Sequence, residues 1–329
     1  MLVTQQPLLR KFWYPVCGKW DLQAGPIRFV LLGSPLVLWQ DGAGRVFALE
    51  DRCCHRTARL SQGQVVQGAI QCPYHGWQFD GQGRCVQVPQ IRGGIPDSYR
   101  VRAYAAQVAY GYVWVALESP LTGIPVISEA ADPAFRLMHQ LCEPWRCSGL
   151  RLMENSFDMA HLAFVHSSSF GDAEQPIPPH LDTQVLEYGL QVRALVPVVN
   201  PPEQQHNLQM ADAKTLQRND MIWYMPFGRK LTLAYHNGLI RIICTFATPI
   251  DDATSQVIQF CLSNDTEAEV PEADITAWER AIAAEDRDIL ESTDYDTPLD
   301  LEQEQHMASD KPGILMRRQL AQRLSQPYA

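Results

Sequence analysis

Two short runs constrain this chain more than anything else in it: Cys53-Cys54-His55 and Cys72-Pro73-Tyr74-His75, a C-x-H and a C-x-x-H separated by sixteen residues. They offer two thiolates and two imidazoles from two loops. That mixed set distinguishes a Rieske [2Fe–2S] centre from an all-cysteine cluster, and two histidines on one iron raise its reduction potential. A Cys₂His₂ zinc site is the competing reading, but zinc loops usually offer like pairs such as C-x-x-C or H-x₃-H. Adjacent Cys53 and Cys54 cannot close an unstrained disulfide. Gly76, beside the second histidine, lets backbone amides approach the cluster sulfurs, where hydrogen bonds tune the potential.

The 329 residues suffice for two domains. A formal charge of −10, without a sustained basic run, argues against nucleic acid and anionic membrane surfaces as partners. No stretch approaches the roughly 18 apolar residues of a membrane span. The start lacks a charged n-region followed by an apolar core. Nine cysteines, an odd number, fit reduced thiols in a cytoplasmic protein.

Residues 8–118 read as β-rich. Ile27–Leu32, Pro35–Trp39 and Val46–Leu49 are β-branched or aromatic runs, the last two joined by the turn signal Asp41-Gly42-Ala43-Gly44; Gly111–Leu117 closes the segment. A strand-dense unit carrying two ligand loops fits a small antiparallel sandwich. Beyond a proline-containing connection, the pattern turns helical at Arg151 and alternates again from about 183 to 263. There Leu231–Tyr235 and Leu239–Cys244 flank Asn237-Gly238, a hairpin signal. Pro201–Arg218 is polar and weakly patterned and reads as a mobile loop. A helical tail follows Pro271. The fold class is therefore α+β, with an N-terminal all-β domain (8–118) and a C-terminal domain (119–329) of antiparallel sheet flanked by helices.

A second chemical landmark is the run from Asn155 to His166. At about 100° per residue, Asn155, Asp158 and His161 share one helix face. His166, five residues beyond His161, needs a loosened turn or a position past the helix end. Two converging histidines suit a metal with open coordination positions, completed by a carboxylate. In the segment 274–289 the apolar stripe is Ile275, Trp278, Ile282 and Ile289. Asp286 and Glu285 each fall about 20° outside it, on opposite edges, and periodicity does not choose between them.

Both landmarks resemble one family. Glu50–Arg56 with Cys72–Trp77 is similar to the Rieske domain of Rieske non-haem iron oxygenases, with Cys54 as a non-ligand thiol where the family usually has proline. Asn155, Asp158, His161 and His166 match the family pattern N-x-x-D-x-x-H-x-x-x-x-H. Glu285–Glu291 resembles the C-terminal E-D motif of demethylase-type members, which selects Asp286. The resemblance implies a [2Fe–2S] cluster with Cys53 and Cys72 on one iron and His55 and His75 on the other. It also implies a mononuclear Fe(II) on His161, His166 and Asp286, and a helix-grip-like catalytic domain. Asp158 would join His161 to His75 of the partner subunit in a head-to-tail homotrimer, with Asn155 beside it in the catalytic machinery.

No organic-cofactor fingerprint is evident, so the resemblance implies electrons from a ferredoxin or flavin reductase and an O₂-dependent hydroxylation or oxidative demethylation of an aromatic or cyclic substrate. Length and the C-terminal motif are closer to aromatic O-demethylases. The cluster surroundings, Leu60–Gln64 and Trp77–Gly81, also resemble pheophorbide a oxygenase-like, chlorophyll-breakdown members. Trp223, Tyr224, Phe227 and Tyr235 are pocket candidates or packing residues. The other function classes are a non-catalytic Rieske electron carrier and a zinc-stabilised binding protein.

Overall fold

The computed structural model describes residues 1–325; the last four residues of the expected 119–329 domain lie outside the described part. The chain divides into two compact units. One comprises Val3–Ile124 with Pro249–Asp252, the other Met1–Leu2, Pro125–Thr248 and Ala253–Ala329. Among the described residues no helix is long and apolar enough to cross a membrane.

The first unit is built from strands. Its strands β1 (Tyr14–Gly18), β2 (Ile27–Leu31), β3 (Ser34–Gln40), β4 (Val46–Glu50), β9 (Ala103–Ala109) and β10 (Tyr112–Ala116) form an antiparallel sheet in the order β1-β10-β9-β4-β3-β2. A smaller sheet joins β5 (Gln64–Val66), β6 (Ala69–Gln71), β7 (Gln78–Phe79) and β8 (Cys85–Gln87) in sequence order. The β3–β4 turn closes because Asp41 Oδ1 accepts the N–H groups of Ala43 and Arg45, each at 2.9 Å. Trp39, Leu49, Ile70 and Phe79 fill the core of this unit. The two ligand loops leave that core at the end of β4 and between β6 and β7.

The second unit carries a seven-stranded antiparallel sheet. Its strands are β11 (Arg136–Trp145), β12 (His180–Leu186), β13 (Gly189–Val199), β14 (Lys214–Tyr224), β15 (Gly228–Ala234), β16 (Ile240–Pro249) and β17 (Ser255–Ser263), ordered β11-β17-β16-β15-β14-β13-β12. The expected hairpin at Asn237-Gly238 joins β15 to β16, with Gly238 at φ +88°. Among the described residues five α-helices accompany the sheet: α1 (Gly149–Phe157), α2 (Leu162–Val165), α3 (Pro202–Leu208), α4 (Glu272–Leu290) and α5 (Lys311–Leu324). The architecture is the mixed α+β arrangement expected, an all-β unit and a helix-flanked antiparallel sheet.

Three local expectations change. Pro201–Arg218 is no mobile loop: it forms α3 and then the start of β14, which pairs with β13 from Val199↔Lys214 onward. The weak apolar pattern misled because inward-facing positions such as Gln217 and Asn219 are polar and line a cavity. The Asn155–His161 face is not one helix either. Helix α1 stops at Phe157, where Asp158 turns extended (ψ 121°) and its Oδ1 takes the Ala160 N–H at 2.8 Å. On α4, Ile275 is buried but Ile289 is half exposed, and Leu290 takes the buried position in its place.

Candidate metal centres

In the first unit the backbone makes two matching tight loops. Thr57 N–H donates to Cys53 O at 3.0 Å, and Gly76 N–H donates to Cys72 O at 3.1 Å. Thr57 and Gly76 both sit at positive φ, 59° and 74°, so the second loop uses the residue that adopts this conformation without strain. A β-carbon on Gly76 would also lie 3.2 Å from Pro89 Cγ. The result brings the four expected ligands together. Cys53 and Cys72 are buried, and the rings of His55 and His75 stand 4.5 Å apart between centroids. The indole of Trp77 stacks flat on His55 at 4.5 Å. Cys54 points outward and is exposed.

This pocket is chemically unfinished as a protein surface. Burial, together with the neighbouring Cys72 thiol, pushes the Cys53 thiol up to about 12, although a backbone N–H at His55 works the other way. The Nδ1 of His55 is buried with no hydrogen-bond partner. Two buried thiols beside an orphaned imidazole nitrogen fit a cluster that takes all of them as ligands.

The second centre uses residues from two distant segments. His161 directly precedes α2 and His166 directly follows it, past the helix end, one of the two placements the five-residue spacing allowed. Their Nε2 atoms both face Asp286 Oδ1 on α4, at 3.5 Å and 3.3 Å. One ligand atom from each of the three lies within 4.8 Å of the others. Asn155 Nδ2 donates to the same Asp286 oxygen at 2.9 Å.

Each imidazole also has a carboxylate behind it. His166 Nδ1 meets Glu285 Oε2 at 2.7 Å, while the hydroxyls of Ser168 and Ser169 donate to Glu285 at 2.6 and 2.8 Å. His161 Nδ1 is buried without a hydrogen bond, and Asp158 Oδ2 stands 3.6 Å away. Burial opposes a charge on His161, yet the carboxylates of Asp158 and Asp286 more than offset it and raise the group to about 9. Burial likewise works against an ionised Asp286, but the two histidines hold it well below the usual carboxylate range. Gly171 locks the turn: its N–H donates to His166 O at 2.8 Å, and a β-carbon there would lie 2.1 Å from Leu162 O. Thus the two edge carboxylates of α4 both reach the histidines, Asp286 at Nε2 and Glu285 at Nδ1. This facial arrangement of two imidazoles and one carboxylate fits a non-haem Fe(II).

The three residues line a cavity between the sheet and α4. Of the aromatic pocket candidates only Tyr235 lines it; Trp223 is a packing residue, fully buried with its indole N–H on Pro226 O at 2.9 Å.

Comparison with known proteins supplies the family. Residues 12–105 match the Rieske [2Fe-2S] domain, and residues 145–326 match the vanillate O-demethylase oxygenase C-terminal domain. The methylxanthine N1-demethylase NdmA of Pseudomonas putida is 30% identical over 96% of this chain and 89% of its own. The methylxanthine N3-demethylase NdmB of the same organism is 27% identical over 96% and 90%. The solved structure of the P. putida NdmA QL mutant with theobromine superposes with a TM-score of 0.82 at 29% identity, covering 95% of this chain and 90% of that one. The chain is a Rieske oxygenase.

A Rieske oxygenase carries a [2Fe–2S] cluster and a mononuclear iron, takes electrons from a ferredoxin or reductase and uses O₂. That excludes the electron-carrier and zinc-protein readings. In this Rieske oxygenase, sequence reasoning overlooked Ser168, Ser169 and the orienting contact of Glu285. The E-D pair was visible, but only one of its carboxylates was sought. It also overlooked the polar side of the cavity, which includes Arg229, Thr245, Gln259 and Glu279. On the strands these residues interrupt the apolar pattern, and the pattern does not say which face borders a cavity.

Proposed function

We propose that this Rieske oxygenase removes a methyl group from nitrogen or oxygen of a small cyclic substrate. The observation that carries the reading is the convergence of His161 Nε2 and His166 Nε2 on Asp286 Oδ1 at the wall of a cavity. The two methylxanthine demethylases among the relatives support demethylation. His161, His166 and Asp286 would hold the iron, and Cys53, His55, Cys72 and His75 the cluster. The division of labour falls between residues 8–118 and 119–329, in a cytoplasmic enzyme.

When bound, these groups supply single electrons and a coordination position for O₂ beside the substrate. The side chains do the rest. Glu285, fixed by Ser168 and Ser169, holds the His166 ring so that Nε2 points at Asp286. Asn155 fixes the Asp286 carboxylate. Leu231, Leu233 and Ile243 keep the cavity wall apolar and limit water. The net change is R–CH₃ + O₂ + 2 e⁻ + 2 H⁺ → R–H + HCHO + H₂O, where R ends in the nitrogen or oxygen that carried the methyl group.

Asp158 is read as the link from His161 to His75 of the partner subunit in a head-to-tail homotrimer. Its side chain, 29% exposed, keeps one carboxylate oxygen towards His161 and is open to solvent. A closing head-to-tail contact generates such a ring.

The test is turnover with a ferredoxin–reductase pair and a panel of N-methylated heterocycles and methoxy-aromatics under O₂. Formaldehyde released one-for-one with the demethylated product is expected. A hydroxylated product that keeps its methyl group, or no turnover with any compound, overturns the reading.

A further inference from the structure

Two guanidinium groups border the cavity, and they are treated differently. Arg241 is 1% exposed and paired with Asp265 at 3.3 Å, with a further hydrogen bond to Asn207 O. Arg229, on β15, has no such partner. Its one hydrogen bond runs from Nη2 to Thr245 Oγ1 at 3.0 Å, on the facing residue of β16. Its Nε–H is shut off from solvent and unsatisfied. Among the described residues no carboxylate comes within ion-pairing distance of it.

The groups beyond Thr245 are neutral. The Thr245 hydroxyl donates to Gln259 Oε1 at 2.9 Å, and Gln259 Nε2 donates to Gln140 Oε1 at 3.0 Å. Two acids influence Arg229 from farther away. Asp286 is turned to the histidines, and with iron bound its charge goes to the metal. Among the described residues Glu279 has no hydrogen-bond or ion-pair partner, and its burial raises its carboxyl, which favours the neutral acid. A partly buried guanidinium without a counter-ion is unfavourable. Its free edge is a planar fork of donors that matches a carboxylate.

We propose that Arg229 anchors the substrate through a carboxylate, so that this enzyme takes a small cyclic acid rather than its neutral analogue. The inference rests on the cavity being the substrate site. Arg229 is then a specificity-determining residue.

The test is calorimetric binding to the enzyme loaded with cluster and iron, held without oxygen so that nothing turns over. The probes are methoxybenzoates and the matching methoxybenzamides. The acids should bind at least about tenfold more tightly than the amides, as expected for a charge-assisted pair. Arg229→Gln should bring the acids to the level of the amides while keeping three irons per chain. Arg229→Lys, which keeps the charge without the fork, should fall between, and Glu279→Gln should bind the acids at least as tightly as the parent. Acids and amides binding alike, no binding of either series, or an Arg229→Gln variant that holds acids unchanged would each overturn the proposal. Formaldehyde released from a neutral compound by the parent enzyme would at the same time leave the demethylase reading standing.

Discussion

The two units of this protein assemble their proposed metal sites by opposite routes. In the first, the four expected ligands lie within 23 consecutive residues, and two tight loops with matching backbone hydrogen bonds bring them together. In the second, the histidines come from the turns around α2 and the carboxylate from α4, with Asn155 and Asp286 in contact across 131 residues. The first site is thus determined by loop conformation, the second by the packing of α4 on the rest of its unit. A local site depends on few backbone dihedrals, whereas a long-range one is sensitive to any change that moves an element.

The sharpest way to break that comparison is to delete one ligand from each side. Asp286→Asn should empty the mononuclear site and reduce turnover to background, leaving two irons per chain and an unchanged cluster spectrum. His75→Ala should abolish the cluster absorbance while the mononuclear site still takes up iron. A D286N protein that also lost its cluster would show the two centres to be one folding unit. Next in size is Asp158→Asn. Both centres should stay loaded, yet turnover should fall by about 10–100-fold, the range for lost partners of metal ligands. Unchanged steady-state activity would remove Asp158 from the electron route.

How much of this was legible in the sequence follows the same division. The proposed cluster quartet could be read directly because spacing alone brings all four side chains into two loops. The proposed histidine pair was visible too, and of the two placements the spacing left open for His166, a loosened turn or a position past a helix end, the structure has the second. Periodicity narrowed the α4 carboxylates to two and no further, since both edges of a helical stripe look alike, and only the family resemblance selected Asp286. The structure uses both, one at each nitrogen of the His166 ring. What could not be read was the inner face of the sheet. Gln217, Asn219, Arg229 and Gln259 break the apolar alternation where they border the cavity, and in a sequence that resembles a loop or a solvated face.

Glu285→Gln sharpens the contrast at a smaller scale. The amide keeps the shape but loses the charge that orients the His166 ring. Iron affinity at the mononuclear site should drop by about tenfold, the lower end for such partners, with the cluster potential unmoved. Titration of iron into the metal-depleted protein measures the first, and a redox titration followed by visible absorbance measures the second.

The smallest effects should come from one added methyl group in each unit. Gly171→Ala would drive a β-carbon to 2.1 Å from Leu162 O, a backbone atom that cannot swing aside, so the turn carrying His166 must shift. About 1–3 kcal/mol of stability should be lost, with weaker iron binding as well, because the ligand moves with the backbone. Gly76→Ala meets only the edge of the Pro89 ring at 3.2 Å and must adopt φ near +74°. Its penalty should sit at the low end of about 1–3 kcal/mol for a non-glycine residue in that region. The cluster should remain, since the ligands on either side of the loop are held by their own hydrogen bonds. Thermal unfolding of both variants, followed at the cluster absorbance and in the far ultraviolet, separates the cases. If Gly76→Ala lost its metal more readily than Gly171→Ala, the local site would be the more fragile one, and the contrast between the two routes would be reversed.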